Sequence, residues 1–318
     1  MTTKVLLVDD DRAVREALGQ TLDLAGLTPV LAGSYIEAKD HIGPEFAGIV
    51  LSDIRMPGMS GIELIQHVQS AYPEMQYALM TAYNVNDYVR YAREHRIWNI
   101  IPKSTFLDLQ MVGVMVRKLT GPDIFGFSLY FPDLIEEPVS IGRVYAMHRD
   151  EEARLPAGTL LHCEISSDEE RFRMCDMVAE LLKRHRAPGV IRLILEELTM
   201  NARDYASDQF TQPIQLSFGV YRDNLLFAVT DSSGRLDRSD ILYRLERNVS
   251  YDERGRPLSL QDSHGRGLFI SRENLDHLIF NIQAGKKTEI LGLLQPEAEF
   301  RNKAISIYFR DADGRIVQ

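Results

Sequence analysis

The strongest constraint on this chain is a set of polar residues that close apolar, strand-like runs in its first third. Lys4-Val5-Leu6-Leu7-Val8 reads as a buried strand and runs into Asp9 and Asp10. Gly48-Ile49-Val50-Leu51-Ser52 ends at Asp53, Tyr77-Ala78-Leu79-Met80 ends at Thr81, and Trp98-Asn99-Ile100-Ile101 leads to Lys103. Helical spacing fills the intervals, over 12–25 before Gly26, and after Pro57-Gly58 with Ile62, Leu64, Ile65 and Val68. This alternation predicts βα units and a doubly wound parallel sheet, an α/β fold. Such sheets bind ligands beyond the carboxyl ends of their strands, where all five polar residues lie. Three carboxylates, a hydroxyl and an ammonium converging there form a hard-oxygen site suited to Mg²⁺. One carboxylate is then free to attack phosphorus.

A length of 318 residues predicts two domains rather than one. The 45% hydrophobic and 26% charged content excludes wholesale disorder. No apolar run is long enough for a membrane span. Two cysteines, Cys163 and Cys175, make no disulfide framework, and a reducing cytoplasm is the expected location. A net charge of −10 argues against nucleic acid as a main partner.

Val8-Asp9-Asp10, the run from Ser52 to Gly58, Met80-Thr81-Ala82 and Lys103 resemble the receiver domain of two-component response regulators over about 1–120. The resemblance implies a flavodoxin-like fold, Asp9 and Asp10 holding Mg²⁺ with Asp53, Asp53 as phosphoacceptor, and Thr81 and Lys103 contacting the phosphoryl oxygens. It also implies an upstream histidine kinase or phosphotransfer protein. Two positions depart from the family: Pro102 precedes the lysine while Ser104 follows it, and Ile100 stands at the usual switch aromatic.

Residues 121–157 read as a connector, with strand-like character over 125–131 and 139–147. Its apolar content suits core packing, docking or a homodimer contact.

The second block, 158–318, opens with the strand Thr159-Leu160-Leu161-His162-Cys163-Glu164-Ile165 and a capping box over 166–169. A helix over 190–206 carries Glu197 and Asn201, four apart and so on one face. The strand 225–230 ends in Asp231, followed by Ser232-Ser233-Gly234. Ser263-His264-Gly265-Arg266-Gly267-Leu268 then leads into a helical pattern over 269–278, and glycines before a helix suit a phosphate.

These residues are similar to the ATP-binding domain of histidine kinases and GHKL ATPases, an α/β sandwich, and most of all to the anti-sigma-factor serine kinases. The resemblance implies Asn201 as ligand of the Mg²⁺ of Mg-ATP and Glu197 as general base. Asp231 and Gly234 would meet the adenine with Thr288 beside it, Gly265, Arg266 and Gly267 would hold the phosphates, and 237–263 would form a lid. Ser233 replaces the family's first glycine and Tyr205 a frequent histidine. His148, 53 positions before Asn201, is the upstream candidate for a phosphoacceptor histidine, and a surface role suits it better.

The expected protein is thus a receiver whose phosphorylation controls an ATP-dependent kinase-like output domain acting on a regulator protein, anti-anti-sigma or sigma-like. The alternatives are a nucleotide-gated binding module without phosphotransfer and an atypical histidine kinase.

Overall fold

The computed structural model describes residues 3–44, 46, 48–83, 85–103, 109–206, 212–256, 258, 266–298 and 303–317. The N-terminal block contains β1 (Lys4–Val8), α1 (Arg12–Leu24), β2 (Thr28–Ala32), α2 (Tyr35–His41), β3 (Gly48–Asp53), α3 (Gly61–Ala71), β4 (Gln76–Thr81), α4 (Val89–Glu94), β5 (Asn99–Pro102) and α5 (Leu109–Thr120). Its strands are parallel in the order β2-β1-β3-β4-β5, the flavodoxin-like arrangement. Local chemistry sets the helix starts. Asp11 accepts from the amides of Ala13 and Val14, and Ser60 and Glu63 close a reciprocal capping box at α3.

The chain continues through β6 (Ile135–Pro138), α6 (Ile141–Arg149), β7 (Thr159–Ile165), α7 (Asp168–Lys183), α8 (Ile191–Ala206), β8 (Ile214–Tyr221), β9 (Asn224–Asp231), α9 (Arg238–Val249), α10 (Arg266–Asn274), β10 (His277–Gln283), β11 (Lys287–Leu294) and β12 (Ala304–Arg310). Strands β7 to β11 pair antiparallel in the order β10-β11-β9-β8-β7, while β6 and β12 join the two ends in parallel.

The two blocks share one sheet. Among the described residues twelve strands run in the order β2-β1-β3-β4-β5-β12-β10-β11-β9-β8-β7-β6. The seam is antiparallel, with Ile100 opposite Ile305 and Asn99 opposite Ser306. The Asn99 side chain reinforces it, donating to Ile307 O at 3.3 Å and accepting from Ile307 N at 3.2 Å. An edge strand with unpaired amides invites association, and here β12 covers the edge of β5. Ile100 is accordingly buried in the seam, which is why no aromatic side chain swings there.

The connector differs from its sequence reading. Residues 125–131 form no strand: Tyr130 and Phe131 both donate backbone N–H to Phe127 O at 2.9 Å, a short 3-10 turn. The i, i+3, i+4 spacing of Phe127, Tyr130 and Phe131 matches that turn, and all three are buried. The stretch 139–147 is no strand either, since Ser140 accepts from Arg143 N and starts α6. The strand lies earlier, at β6. The helix cap at α7 is Ser167 with Glu170, one residue later than expected. The glycine-led helix α10 stops at Asn274, and Leu278 belongs to β10.

On one face of the sheet, α5 and the connector pack against β9 to β12 in a hydrophobic cluster that also holds Leu7, Met80, Leu226 and Ile279. Arg310 on β12 donates to Lys118 O at 2.6 Å and Gly121 O at 2.7 Å, closing the carbonyl end of α5. Lys118 is buried, donating to Tyr130 Oη at 2.9 Å and Asn281 Oδ1 at 2.8 Å, and burial pushes its pKa well down.

His277 gives an acid-sensitivity prediction. It is buried beside Ser306 Oγ at 3.1 Å, and burial, with the nearby Lys118 charge, pushes its pKa down to about 3. The folded state keeps the imidazole neutral, whereas the unfolded chain takes up a proton below the ordinary value of 6.5. Stability therefore falls as pH drops from 6.5 towards 3, by about 1.4 kcal/mol per pH unit from this group. Urea midpoints between pH 7 and 5 should fall more steeply for the wild type than for His277→Gln. Parallel curves would show that the imidazole is not held neutral.

Candidate functional site

The N-terminal site forms at the carboxyl ends of β1, β3, β4 and β5. Ligand oxygens of Asp9, Asp10 and Asp53 all lie within 4.8 Å of one another. Asp9 and Asp53 are buried and Asp10 is exposed, so the cluster opens on one side. Lys103 Nζ stands 2.7 Å from both Asp9 Oδ2 and Asp53 Oδ2. Thr81 is held beside it, since its carbonyl accepts the Lys103 N–H at 2.8 Å and its Oγ1 accepts Tyr83 N at 3.0 Å.

The Asp53 carboxyl is raised above the ordinary carboxylate value because it is buried and faces Asp9, and Lys103 opposes that rise. Three oxygen donors converging beside one ammonium fit Mg²⁺, with Asp9, Asp10 and Asp53 as its holders. Sequence reasoning passed over Arg55, although its run was singled out. Arg55 Nε donates to Tyr88 Oη at 2.7 Å and its guanidinium lies 4.0 Å over the Tyr83 ring. These partners are about thirty residues away, so no local pattern marks them.

A second site lies between the helices and the sheet of the C-terminal block. A cleft there is lined by Asn201, Asp231, Leu236, Ile241, Arg244, Leu268, Phe280 and Thr288, among others. Helix α8 supplies Asn201, the end of β9 supplies Asp231, and β11 supplies Thr288, opposite Asp231 in register. Asp231 accepts Ser233 N at 2.8 Å and Ser233 Oγ at 2.6 Å. Burial raises its carboxyl pKa, and Ser233 opposes that. The Ser233 hydroxyl therefore folds back on Asp231 and is absent from the cleft lining.

Gly234 has φ +56°, and a Cβ there would collide with Gln283 O in the adjacent turn. Gly267, in the first turn of α10, touches Glu197 so closely that a Cβ would stand 2.5 Å from the Glu197 Cβ. The structure thus brings Asn201, Asp231 and Thr288 into one cleft, and places Glu197 beneath the start of α10. His264 and Gly265 lie outside the described residues, as do the side chains of Tyr205 and Arg266. Arg244 was missed, its position being read only as lid; the helix α9 turns it into the cleft. His148 sits in the last turn of α6, its carbonyl accepting from Arg184 at 2.8 Å, and lines neither site. His162 is held between Ser217 Oγ at 2.7 Å and Glu136 Oε2 at 3.1 Å, a packed strand residue.

No helix among the described residues is long and apolar enough to cross a membrane.

Comparisons with known proteins bear on the first site. Residues 5–111 match the response regulator receiver domain family. The C4-dicarboxylate transport transcriptional regulatory protein DctD of Rhizobium meliloti is 46% identical over 79 residues, covering 25% of this chain and 17% of the relative. The DNA-binding transcriptional regulator NtrC of Escherichia coli K12 is 32% identical over 252 residues, 74% of this chain and 48% of the relative. A receiver domain structure from Methanospirillum hungatei is 25% identical over 35% of this chain and 88% of its own, with a TM-score of 0.33. The chain spans less than half the length of the two curated relatives. The matched span holds Asp9, Asp10, Asp53, Thr81 and Lys103, and the N-terminal block of this chain is a response regulator receiver domain.

Proposed function

We propose that this is a phosphorelay signalling protein in which phosphorylation of Asp53 controls a histidine-kinase-like, GHKL-type ATP-binding unit that phosphorylates or binds a partner protein. One observation carries the reading: the receiver pocket shares a sheet with a cleft in which Asn201, Asp231 and Thr288 converge beside Gly267 and Glu197.

At the receiver, the donor is an upstream histidine kinase or phosphotransfer protein. An Asp53 carboxylate oxygen attacks phosphorus, the phosphorus–nitrogen bond of the donor breaks, and the nitrogen leaves with its proton. Lys103, 2.7 Å from Asp53, balances charge on the phosphoryl oxygens, and Thr81 orients one of them. Asp9, Asp10 and Asp53 would hold Mg²⁺, which when bound would supply further positive charge to the transferring group.

At the cleft, Asp231 is placed to accept from an adenine amino group and Thr288 to bond beside it. Asn201 is the ligand for the cation of Mg-ATP. Arg244 adds a positive charge at the cleft, and Gly267 lets the backbone close on phosphates at the start of α10. Glu197 takes the general-base position, acting on an acceptor hydroxyl of a regulator protein or on water.

A titration of the whole chain with labelled Mg-ATP tests this. The wild type should bind, and Asp231→Asn should weaken binding at least about tenfold, since a hydrogen bond to a charged group contributes about 1.5–3 kcal/mol. Glu197→Gln should keep binding and lose transfer if the output is a kinase. Nucleotide binding with no transfer by either protein would favour a nucleotide-gated binding module. No binding by the wild type would overturn the nucleotide reading.

A second reading, a transcriptional regulator, rests on the similarity to NtrC running beyond the receiver. DNA binding by the purified chain at physiological salt would favour it over the first.

A further inference from the structure

Helices α9 and α10 both reach the cleft, through Ile241 and Arg244 on one and Leu268 on the other. Both are gripped by one stretch of the receiver, residues 85–94. Arg272 on α10 is only 1% exposed, and its Nη2 donates to Asn86 Oδ1. Asn86 Nδ2 in turn reaches Glu273 Oε1 at 3.5 Å, and Lys303 pairs with the other oxygen of Glu273. On α9, Glu246 pairs with Arg93 of α4, whose guanidinium also lies 5.0 Å over the Tyr243 ring.

The Arg272 contact is poised rather than saturated. Its Nε and Nη1 are buried with no hydrogen-bond partner among the described residues. Donors left idle in the interior are costly, so a rearrangement that supplies an acceptor is favoured. Asn86 is five residues past Thr81, which closes the phosphoacceptor pocket, and a shift of that loop moves the acceptor that this guanidinium meets among the described residues. At the other end, the first turn of α10 carries Gly267 against Glu197. A displacement of α10 along its axis therefore changes the cleft at the position where phosphates would lie.

We propose that the Asn86–Arg272 contact is the link through which the Asp53 pocket sets the position of α10, with Arg272 as a positioning residue for the cleft. Its consequence for nucleotide rests on the reading above; the mechanical link does not. Two such states, each favoured by one condition of the receiver, give a coupling between the sites.

Hydrogen exchange on the full chain, with and without beryllofluoride and Mg²⁺, reads the link directly, and Mg-ATP titration reads the cleft. In the wild type, beryllofluoride should change exchange across 266–274 by about fivefold or more. In Asn86→Ala that response should vanish while 85–94 still responds, and nucleotide affinity without beryllofluoride should stay within about twofold of the wild type. Arg272→Lys keeps the buried cation and loses the planar fork, and should show the same loss. A wild-type response of α10 in Asn86→Ala, or a wild type in which α10 does not respond, overturns the proposal. Failure of every protein to bind nucleotide would instead sink the ATP reading and leave the exchange result standing.

Discussion

Asp53→Asn should reduce labelling by a small phosphodonor such as phosphoramidate to background, with the fold intact. The side chain is nearly isosteric, yet an amide oxygen is a poor nucleophile and cannot form the acyl phosphate. Asp10, an exposed carboxylate, cannot substitute, because Lys103 bridges Asp9 and Asp53. Lys103→Ala should leave Asp53 in place and slow labelling by about 10²–10³-fold, the usual effect of removing one preorganised stabiliser of developing charge. Only the ionised carboxylate attacks, so labelling should fall on acidification as Asp53 takes up a proton. Retained labelling in Asp53→Asn would place the acceptor elsewhere.

The receiver pocket was legible because its information is local. A buried parallel strand reads as an unbroken apolar run, and the residue after it is fixed at the carboxyl edge, so Asp9, Asp53, Thr81 and Lys103 announce themselves one strand at a time. The same holds for Asn201 and Asp231, each placed by its own element. What was not legible depends on partners far along the chain. Phe127, Tyr130 and Phe131 were read as strand because they are aromatic; the far face of a sheet built from residues beyond 220 is what gathers them into a turn. Ile100 looked like a defect in the output relay. It is a seam residue, paired with Ile305 more than two hundred positions later. Arg55, Arg244 and Arg272 likewise acquire meaning only from contacts that no motif spans. The small signal that was available and unused is Ser140, a helix cap inside a stretch whose valine and isoleucine suggest a strand.

Phe218→Ala should destabilise the receiver as much as the block in which it lies. Phe218 is fully buried on β8, opposite Leu161 of β7 and Phe227 of β9, and truncating a buried phenylalanine costs about 3–5 kcal/mol. Two separable domains would confine that loss to the second block. Here the hydrophobic cluster containing Phe218 also contains Leu6, Val50 and Leu79 of the receiver strands, and the cluster on the opposite face runs equally from Leu7 to Leu293. The seam between β5 and β12, the Arg310 cap on α5 and the buried Lys118 tie the halves together at three further points. Trp98, the single tryptophan, lies beside that seam with Arg238 4.4 Å over its ring, so its fluorescence reports the junction while far-UV circular dichroism reports the whole chain. In urea the two probes should give one coincident transition, and Phe218→Ala should move both midpoints together. If Trp98 kept its wild-type midpoint while the dichroism transition split, the shared sheet would not be a cooperative unit. A receiver built into the same sheet as the block that follows it cannot signal by swinging away from it. Any switching between them must travel through side chains at the junction, which is why a contact such as Asn86 with Arg272 carries more weight here than a flexible linker would.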